Sequence, residues 1–300
     1  MNPALERLGF GPADRVVIFH ADDVGMCHGA NVAFLELSRR GLISCGSVMA
    51  PCPWFSEAAD LARQHPDLDL GVHLTLTSEW QYYRWRPVST CESTSGLCDE
   101  EGYLWRRIPQ VRGHLNVKAA EAELRAQVER ALAAGIDVTH LDAHMFSAMI
   151  PELAASYVRL GLEYRLPVLM PRRIEANLAG LGLGDLDLSM HSALFAQLEQ
   201  MGMPLVDCVI GSLTVPNPER DATYRAALAA LPPGLIYISL HPSAAGDIET
   251  IVPDNGHVRV EEYALLQDAD FKAFVAEQGI HIIGYRRLRD LMRSGGASCQ

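Results

Sequence analysis

The sequence predicts an α/β protein, a (β/α) barrel folded as a single domain over residues 1–300. Three observations predict it. Short apolar runs rich in β-branched residues alternate with longer helical stretches, which implies a parallel sheet with crossover helices. About eight such units occur in one chain, a number that favours a closed barrel over an open sheet. Polar residues gather where the strand runs end, and that is the end at which α/β barrels and open parallel sheets place their chemistry.

The strands are predicted at 16–21 (VVIFHA), 43–49 (ISCGSVM), 68–76 (LDLGVHLTL), 137–145 (DVTHLDAHM), 167–171 (PVLMP), 207–213 (DCVIGSL), 235–242 (LIYISLHP) and 280–286 (IHIIGYR). Between them lie the helical stretches ANVAFLELSRRG, FSEAADLARQH, VKAAEAELRAQVERALAAG, PELAASYVRLG, HSALFAQLEQMG and ERDATYRAALAAL, and EEYALLQDADFKAFVAEQG precedes the last strand. Within the third of these, Ala120, Leu124, Val128, Ala131 and Leu132 recur at the three- or four-residue spacing of one buried helix face. No internal repeat or low-complexity linker divides the chain.

One insertion, residues 78–115, breaks the alternation and carries Trp80, Trp85 and Trp105 of the four tryptophans, together with Tyr82, Tyr83 and Tyr103. Disordered segments are poor in aromatics, so a folded lid or substrate wall is expected. Trp80, Tyr83 and Trp85 are its candidate substrate contacts, because flat rings suit the C–H faces of a sugar; they suit a protein partner equally. Arg172 and Arg173 follow the fifth strand near the same rim, and Arg172 is a candidate for substrate binding, the alternative being a solvated pair.

Composition narrows the partners. The formal net charge is −12 with no basic stripe, which argues against nucleic-acid binding through phosphate neutralisation. No apolar run approaches the ~18–20 residues that cross a bilayer, and the first residues lack the pattern of a secretory signal. Seven cysteines without a CxxC pair suit reduced thiols in a cytoplasmic protein. A small-molecule or oligosaccharide substrate is expected; homo-oligomerisation stays open.

The first strand ends His20-Ala-Asp22-Asp23, the third carries His73, the fourth carries His140, Asp142 and His144, and the seventh ends at His241. Residues two apart on a strand share a face, so His140, Asp142 and His144 project together. Singly, each histidine reads as a core or loop residue; together at four strand ends they read as a site. Two imidazoles and a carboxylate commonly hold a divalent cation with positions left open. A cation also accounts for the adjacent acids, neutralising one and leaving its neighbour as a base, while coordinated water drops from a pKa of 15.7 to about 7. Asp142, with His140 beside it, would stand behind the ligands, orienting an imidazole by accepting its N–H. His28, His65, His114, His191, His257 and His281 have no carboxylate at matching spacing and read as structural.

ADDVG at the first strand, GVHLTLT at the third and THLDAH at the fourth resemble the ChbG/HpnK (YdjC-like) carbohydrate deacetylases. The resemblance covers most of the chain and extends to PCPWFSEAADLARQHPDLDLGVHLTLTSEW and DEEGYLW. It implies a distorted (β/α) barrel related to the NodB-type deacetylases, one divalent metal (Zn²⁺ or Mg²⁺ foremost, with Mn²⁺, Co²⁺ and Ni²⁺ also accepted), and removal of an N-acetyl group from an amino sugar with release of acetate. Carried over, Asp22 is the general base, Asp23, His73 and His144 are the metal ligands, and His241 in LHPS is the general acid. Two departures stand out: HMFSAM replaces a histidine-rich run after the second ligand histidine, and the strand before the acidic pair ends in His20 rather than Asn.

Four other classes compete. A 2-oxoglutarate oxygenase would use His140-Leu-Asp142 with His241, but its usual jelly roll lacks alternating helices. A phosphoacceptor domain needs a lysine at a late strand end, whereas Lys118 and Lys272 fall in helical stretches. A glycan-binding protein without catalysis, or a metal-dependent hydrolase of another amide or ester, remains compatible with the residues.

Overall fold

In the computed structural model, which describes residues 1–40, 42–173, 188–213 and 219–294, seven strands form one parallel sheet among the described residues. They are β1 (Arg15–Val24), β2 (Cys45–Val48), β3 (Leu70–Leu74), β4 (Val138–Ala143), β5 (Cys208–Ile210), β6 (Gly234–Leu240) and β7 (Ile280–Ile282). The order is β4-β3-β2-β1-β6-β5. β1 pairs with β6 along its length; on its other side the Arg15–Val17 end pairs with β7 and the His20–Val24 end with β2.

Two single parallel bridges, Leu141 to Val168 and Pro171 to Val206, carry the ring from β4 through residues 167–171 towards β5. The predicted fifth strand is therefore present only as bridging positions. Pro167 and Pro171 at its two ends have no N–H to give a ladder, which explains why it never becomes a regular strand.

The helices are α1 (Pro3–Arg7), α2 (His28–Arg39), α3 (Phe55–Gln64), α4 (Ile108–His114), α5 (Val117–Ala133), α6 (Ala154–Tyr164), α7 (Leu188–Gln200), α8 (Glu219–Ala229), α9 (Ile248–Ile251), α10 (Gly256–Gln267), α11 (Ala269–Glu277) and α12 (Tyr285–Ser294). The stretch 261–279, expected as one helical segment, is split between α10 and α11, where Asp268 turns extended and its side chain accepts from Phe271 N–H. On α5, Ala120, Leu124, Val128 and Ala131 are buried as expected, but Leu132 is 42% exposed. Steps of four residues drift about 40° around a helix of 3.6 residues per turn, and the third step carries Leu132 off the face.

Two apolar layers result. Phe19, Phe34, Val72, Leu124 and Leu141 belong to the shell between sheet and helices. Val16, Ile18, Cys45, Leu235 and Tyr237 fill the barrel itself, with Ala4 and Leu5 of α1 packed among them at the amino-terminal end of β1. Upward along β1 the inward residues change from Val16 and Ile18 to His20 and Asp22, and along β6 from Leu235 to Tyr237 and Ser239. The barrel is apolar at its floor and polar at its mouth, and that gradient positions the site.

The insertion is folded. Thr77 bridges Trp105 and Cys98 bridges Leu104. Two buried polar side chains of α5 tether this region: Gln127 exchanges hydrogen bonds with both backbone groups of Thr75, and Glu123 accepts from Val88 N–H, Ser89 N–H and the Ser89 hydroxyl. Cys27, Cys45, Cys52, Cys91, Cys98 and Cys208 are free thiols. Cys299 and most of the link before α7 lie outside the described residues.

Candidate active site

Adjacent residues on a regular strand face opposite ways, yet Asp22 and Asp23 serve one site. The reason lies at the end of β1. Asp23 has φ 61°, a left-handed conformation rare for a residue with a side chain but best tolerated by Asn and Asp. The β1–β2 register also slips between Ala21 and Val24. That irregularity swings Asp23 towards β3 and β4, while Asp22 stays on the inward face towards β6.

Asp23 Oδ1 lies 3.0 Å from His144 Nδ1 and 3.4 Å from His73 Nε2. These three buried side chains each offer a ligand atom, all within 4.8 Å of one another. The outer atom of each is held by a further group. Arg259 Nη1 donates to Asp23 Oδ2 at 2.7 Å, Glu79 Oε1 is 2.9 Å from His144 Nε2, and Asp142 Oδ1 is 2.9 Å from His73 Nδ1. The last pair is close without being aligned as a hydrogen bond, so both atoms are buried and unpartnered in that sense. One carboxylate and two imidazoles, each backed by a group of opposite character, fit a divalent cation in donor type and orientation.

Burial works against charge on all three, and the neighbours outweigh it. Asp23 is buried, yet Arg259 and His144 hold its carboxyl well below the ordinary value. His73 is raised well above the usual imidazole range because Asp142 and Asp23 overcome desolvation. His144 is raised to about 9, with Glu79 and then Asp23 overcoming the same penalty.

Asp22 occupies the adjoining corner. Oδ1 is 2.6 Å from His20 Nδ1 and accepts from the Tyr237 hydroxyl at 3.1 Å; Oδ2 accepts from the Ser239 hydroxyl at 2.7 Å. Burial raises its pKa, but the hydrogen bond from His20, with the charges of His20, His241 and His73, brings it far below the ordinary value. His241 Nε2 is 3.6 Å from Asp22 Oδ2, and the Ser212 hydroxyl is 2.8 Å from His241 Nδ1. His241 is 30% exposed, the most open of these groups. Asp142 Oδ2 accepts from Ser47, which fixes the carboxylate behind His73, and stands 3.1 Å from the Tyr237 hydroxyl, whose single proton it shares with Asp22 Oδ1.

The structure thus brings together Asp22, Asp23, His73, His144, His241, His140 and Asp142, as the strand-end pattern predicts. It does not bring Arg172. That guanidinium pairs with Asp207 and Glu199, and Asp207 caps Leu235 N–H at the start of β6, the end of the strand opposite His241. The chain after Met170 runs towards Val206, at the floor, so Arg172 never reaches the rim. Among the aromatic candidates, Trp85 differs from expectation. Trp85 is buried; its indole N–H donates to Thr77 O, and its ring meets His144 edge-on at 6.1 Å. It closes the wall of the site instead of offering a free face. Tyr83 is half-buried with its hydroxyl on Met26 O, and Trp80 is half-buried, while Tyr82 is 89% exposed. His28 and His65 pair with Glu57 and Arg39, and His114 stacks on Trp105, away from the site.

Glu79 and Arg259 were not expected. Arg259 sits on a helix and Glu79 in the insertion, where spacing carries no face information. Ser239 and Tyr237 did carry a signal, since both lie at two-residue steps from His241 in LIYISLH.

The YdjC-like protein family model matches residues 16–277. A protein of Thermus thermophilus named carbohydrate deacetylase is 34% identical over 296 residues, 96% of this chain and 98% of its own. A chitooligosaccharide deacetylase of Yersinia enterocolitica is 32% identical over 174 residues, 57% of this chain and 65% of its own. A solved structure from Enterococcus faecalis, described as a cellobiose-phosphate cleavage protein, superposes with a TM-score of 0.74 at 23% identity, covering 92% of this chain and 99% of that one. On the family match, the acidic pair and the histidines that face it, the chain belongs to the YdjC-like protein family.

Proposed function

We propose that this protein is a carbohydrate deacetylase that hydrolyses the N-acetyl group of an amino sugar with the help of one divalent cation. The observation that carries this reading is the convergence of Asp23, His73 and His144 beside a second carboxylate and an open histidine. The deacetylase names of its relatives supply the reaction class.

A cation held by Asp23 Oδ1, His73 Nε2 and His144 Nδ1 would supply Lewis-acid polarisation of the acetamide carbonyl and acidify water at neutral pH. Asp22 accepts a proton at Oδ2 from the attacking water: Oδ2 is the oxygen on the His241 side and carries one hydrogen bond, from Ser239, whereas Oδ1 meets both His20 and Tyr237. His241 donates from Nε2 to the departing nitrogen, with Ser212 holding the other ring nitrogen. Once the products leave, the base releases its proton and His241 is reprotonated by way of the solvent that reaches its part-exposed ring; at 3.6 Å its Nε2 and Asp22 Oδ2 are close but not hydrogen-bonded. Water, an acetamide and no further reactant give acetate and a free amine.

The test is acetate release from a panel of N-acetylated sugars by chelator-treated protein, before and after adding back Zn²⁺, Mg²⁺, Mn²⁺, Co²⁺ or Ni²⁺. Release that depends on the added cation is expected. Equal release without any cation, or none from any sugar, refutes the reading.

A further inference from the structure

Below the acidic pair, the barrel holds a row of polar side chains that neither the ligand set nor the acid–base pair uses. His20 Nδ1 meets Asp22 Oδ1 at 2.6 Å, and its Nε2 lies 2.9 Å from Nε2 of His140. His140 Nδ1 lies 2.9 Å from the Thr139 hydroxyl. His20, Thr139 and His140 are all fully buried, so no bulk water competes for these contacts. His20 stacks on Tyr237 at 4.8 Å and His140 on Tyr285 at 4.1 Å, which fixes the orientation of each ring, the two imidazoles standing 80° apart. A Cβ on Gly71 would stand 2.6 Å from ring atoms of His140, so the strand is bare where the ring must fit.

The contacts constrain the protons. An ionised carboxylate only accepts, so His20 carries a proton on Nδ1. With both rings neutral, Nε2 of His20 is then bare and accepts from His140 Nε2–H. Nδ1 of His140 is bare in turn and faces the Thr139 hydroxyl at 2.9 Å. Burial pushes His140 well below the ordinary imidazole range, in keeping with a neutral ring. Were His20 charged instead, its Nδ1 proton would still face Asp22.

We propose that His20 is a positioning residue for the base: its Nδ1–H anchors Oδ1 of Asp22, and His140 supports the ring from behind at Nε2, so that Oδ2 faces His241 and the substrate. This rests on Asp22 being the base. It assigns work to a histidine that touches none of the proposed cation ligands, and it predicts a defect in turnover alone.

The test uses full-length protein with His20→Leu, His20→Asn and His140→Phe, each checked for folding by thermal melting. His20→Leu lowers kcat about 10- to 100-fold, a fraction of the 10²–10⁴ that proton transfer contributes, with KM and Zn²⁺ affinity within about twofold of the parent. Asn places an amide N–H where Nδ1 stood, so His20→Asn restores kcat to within about fivefold of the parent. In ¹⁵N-labelled parent protein, a far-downfield imidazole proton is bonded to Nδ1 of His20; it vanishes in His20→Asn and shifts in His140→Phe. A folded His20→Leu variant with parental kcat, or a loss that follows Zn²⁺ affinity, overturns the proposal. So does a parent in which His20 is protonated only on Nε2. A parent inactive on every N-acetylated sugar would refute the deacetylase reading instead, and the imidazole spectrum would still decide the tautomer.

Discussion

Glu79 Oε1 lies 2.9 Å from His144 Nε2, so the second residue of the insertion holds a proposed cation ligand by its outer nitrogen. Thr77 donates to the same oxygen, and Arg106 holds the backbone carbonyls of Glu79 and Trp80. The folded insertion is thereby joined to the ligand set. Partners of ligand histidines typically contribute 10- to 100-fold in affinity or activity. Glu79→Ala is expected to weaken Zn²⁺ binding by about that factor in calorimetric titration of chelated protein. An unchanged dissociation constant would detach the insertion from the ion site.

The two adjacent acids are expected to fail differently. Asp22→Asn keeps the cation and loses about 10²–10⁴ in kcat. Asp23→Asn loses the cation first, and excess cation restores part of its rate. Metal content by elemental analysis, set beside acetate release, separates them.

Gly71→Ala drives a methyl against the His140 ring and its carbonyl oxygen, both 2.6 Å from the new carbon. Overpacking of this kind costs about 1–3 kcal/mol. Denaturant unfolding should show that loss, whereas Gly113→Ala, with nothing within 4 Å, should not share the steric part.

Asp69 offers a pH test. Burial raises its carboxyl above the ordinary 3.8, outweighing the Thr139 hydroxyl and the Arg286 N–H that lower it. A carboxyl raised in the folded state holds its proton more tightly there than when unfolded. Its contribution is therefore most favourable at low pH and declines as pH climbs from 3.8 through the raised value. Asp69→Asn should remove that decline and leave the protein at least as stable at pH 7, with the Arg286 N–H still served by the amide oxygen. A variant that unfolds more readily at pH 7 than at pH 4, relative to the parent, contradicts this.

Arg172→Ala should leave acetate release unchanged, because its partners Asp207 and Glu199 lie at the floor. The loss of two partly exposed ion pairs is expected to cost about 1 kcal/mol or less.

What the chain discloses before folding follows from periodicity. His20 and Asp22, or His140 and Asp142, are two apart on strands, so their shared face is readable, and the alternation of runs yields the barrel. Arg172 misleads because position after a strand does not say at which end that strand stops, and Pro167 and Pro171 had already prevented a full strand there. Glu79 and Arg259 are silent because an insertion and a helix, packed from other parts of the chain, deliver them. Helix α12 is likewise hidden, since the apolar run at 280–283 ends at Gly284 and the charged stretch after it resembles a surface tail until Leu288 and Met292 are seen to be buried.

The left-handed turn of the backbone at Asp23 filters the residues that can occupy that position. Conformation admits glycine, asparagine and aspartate with ease and penalises β-branched side chains. Cation chemistry asks for a negative oxygen. Aspartate passes both sieves with the least strain, whereas glutamate, which meets the second, gains no such ease at the first.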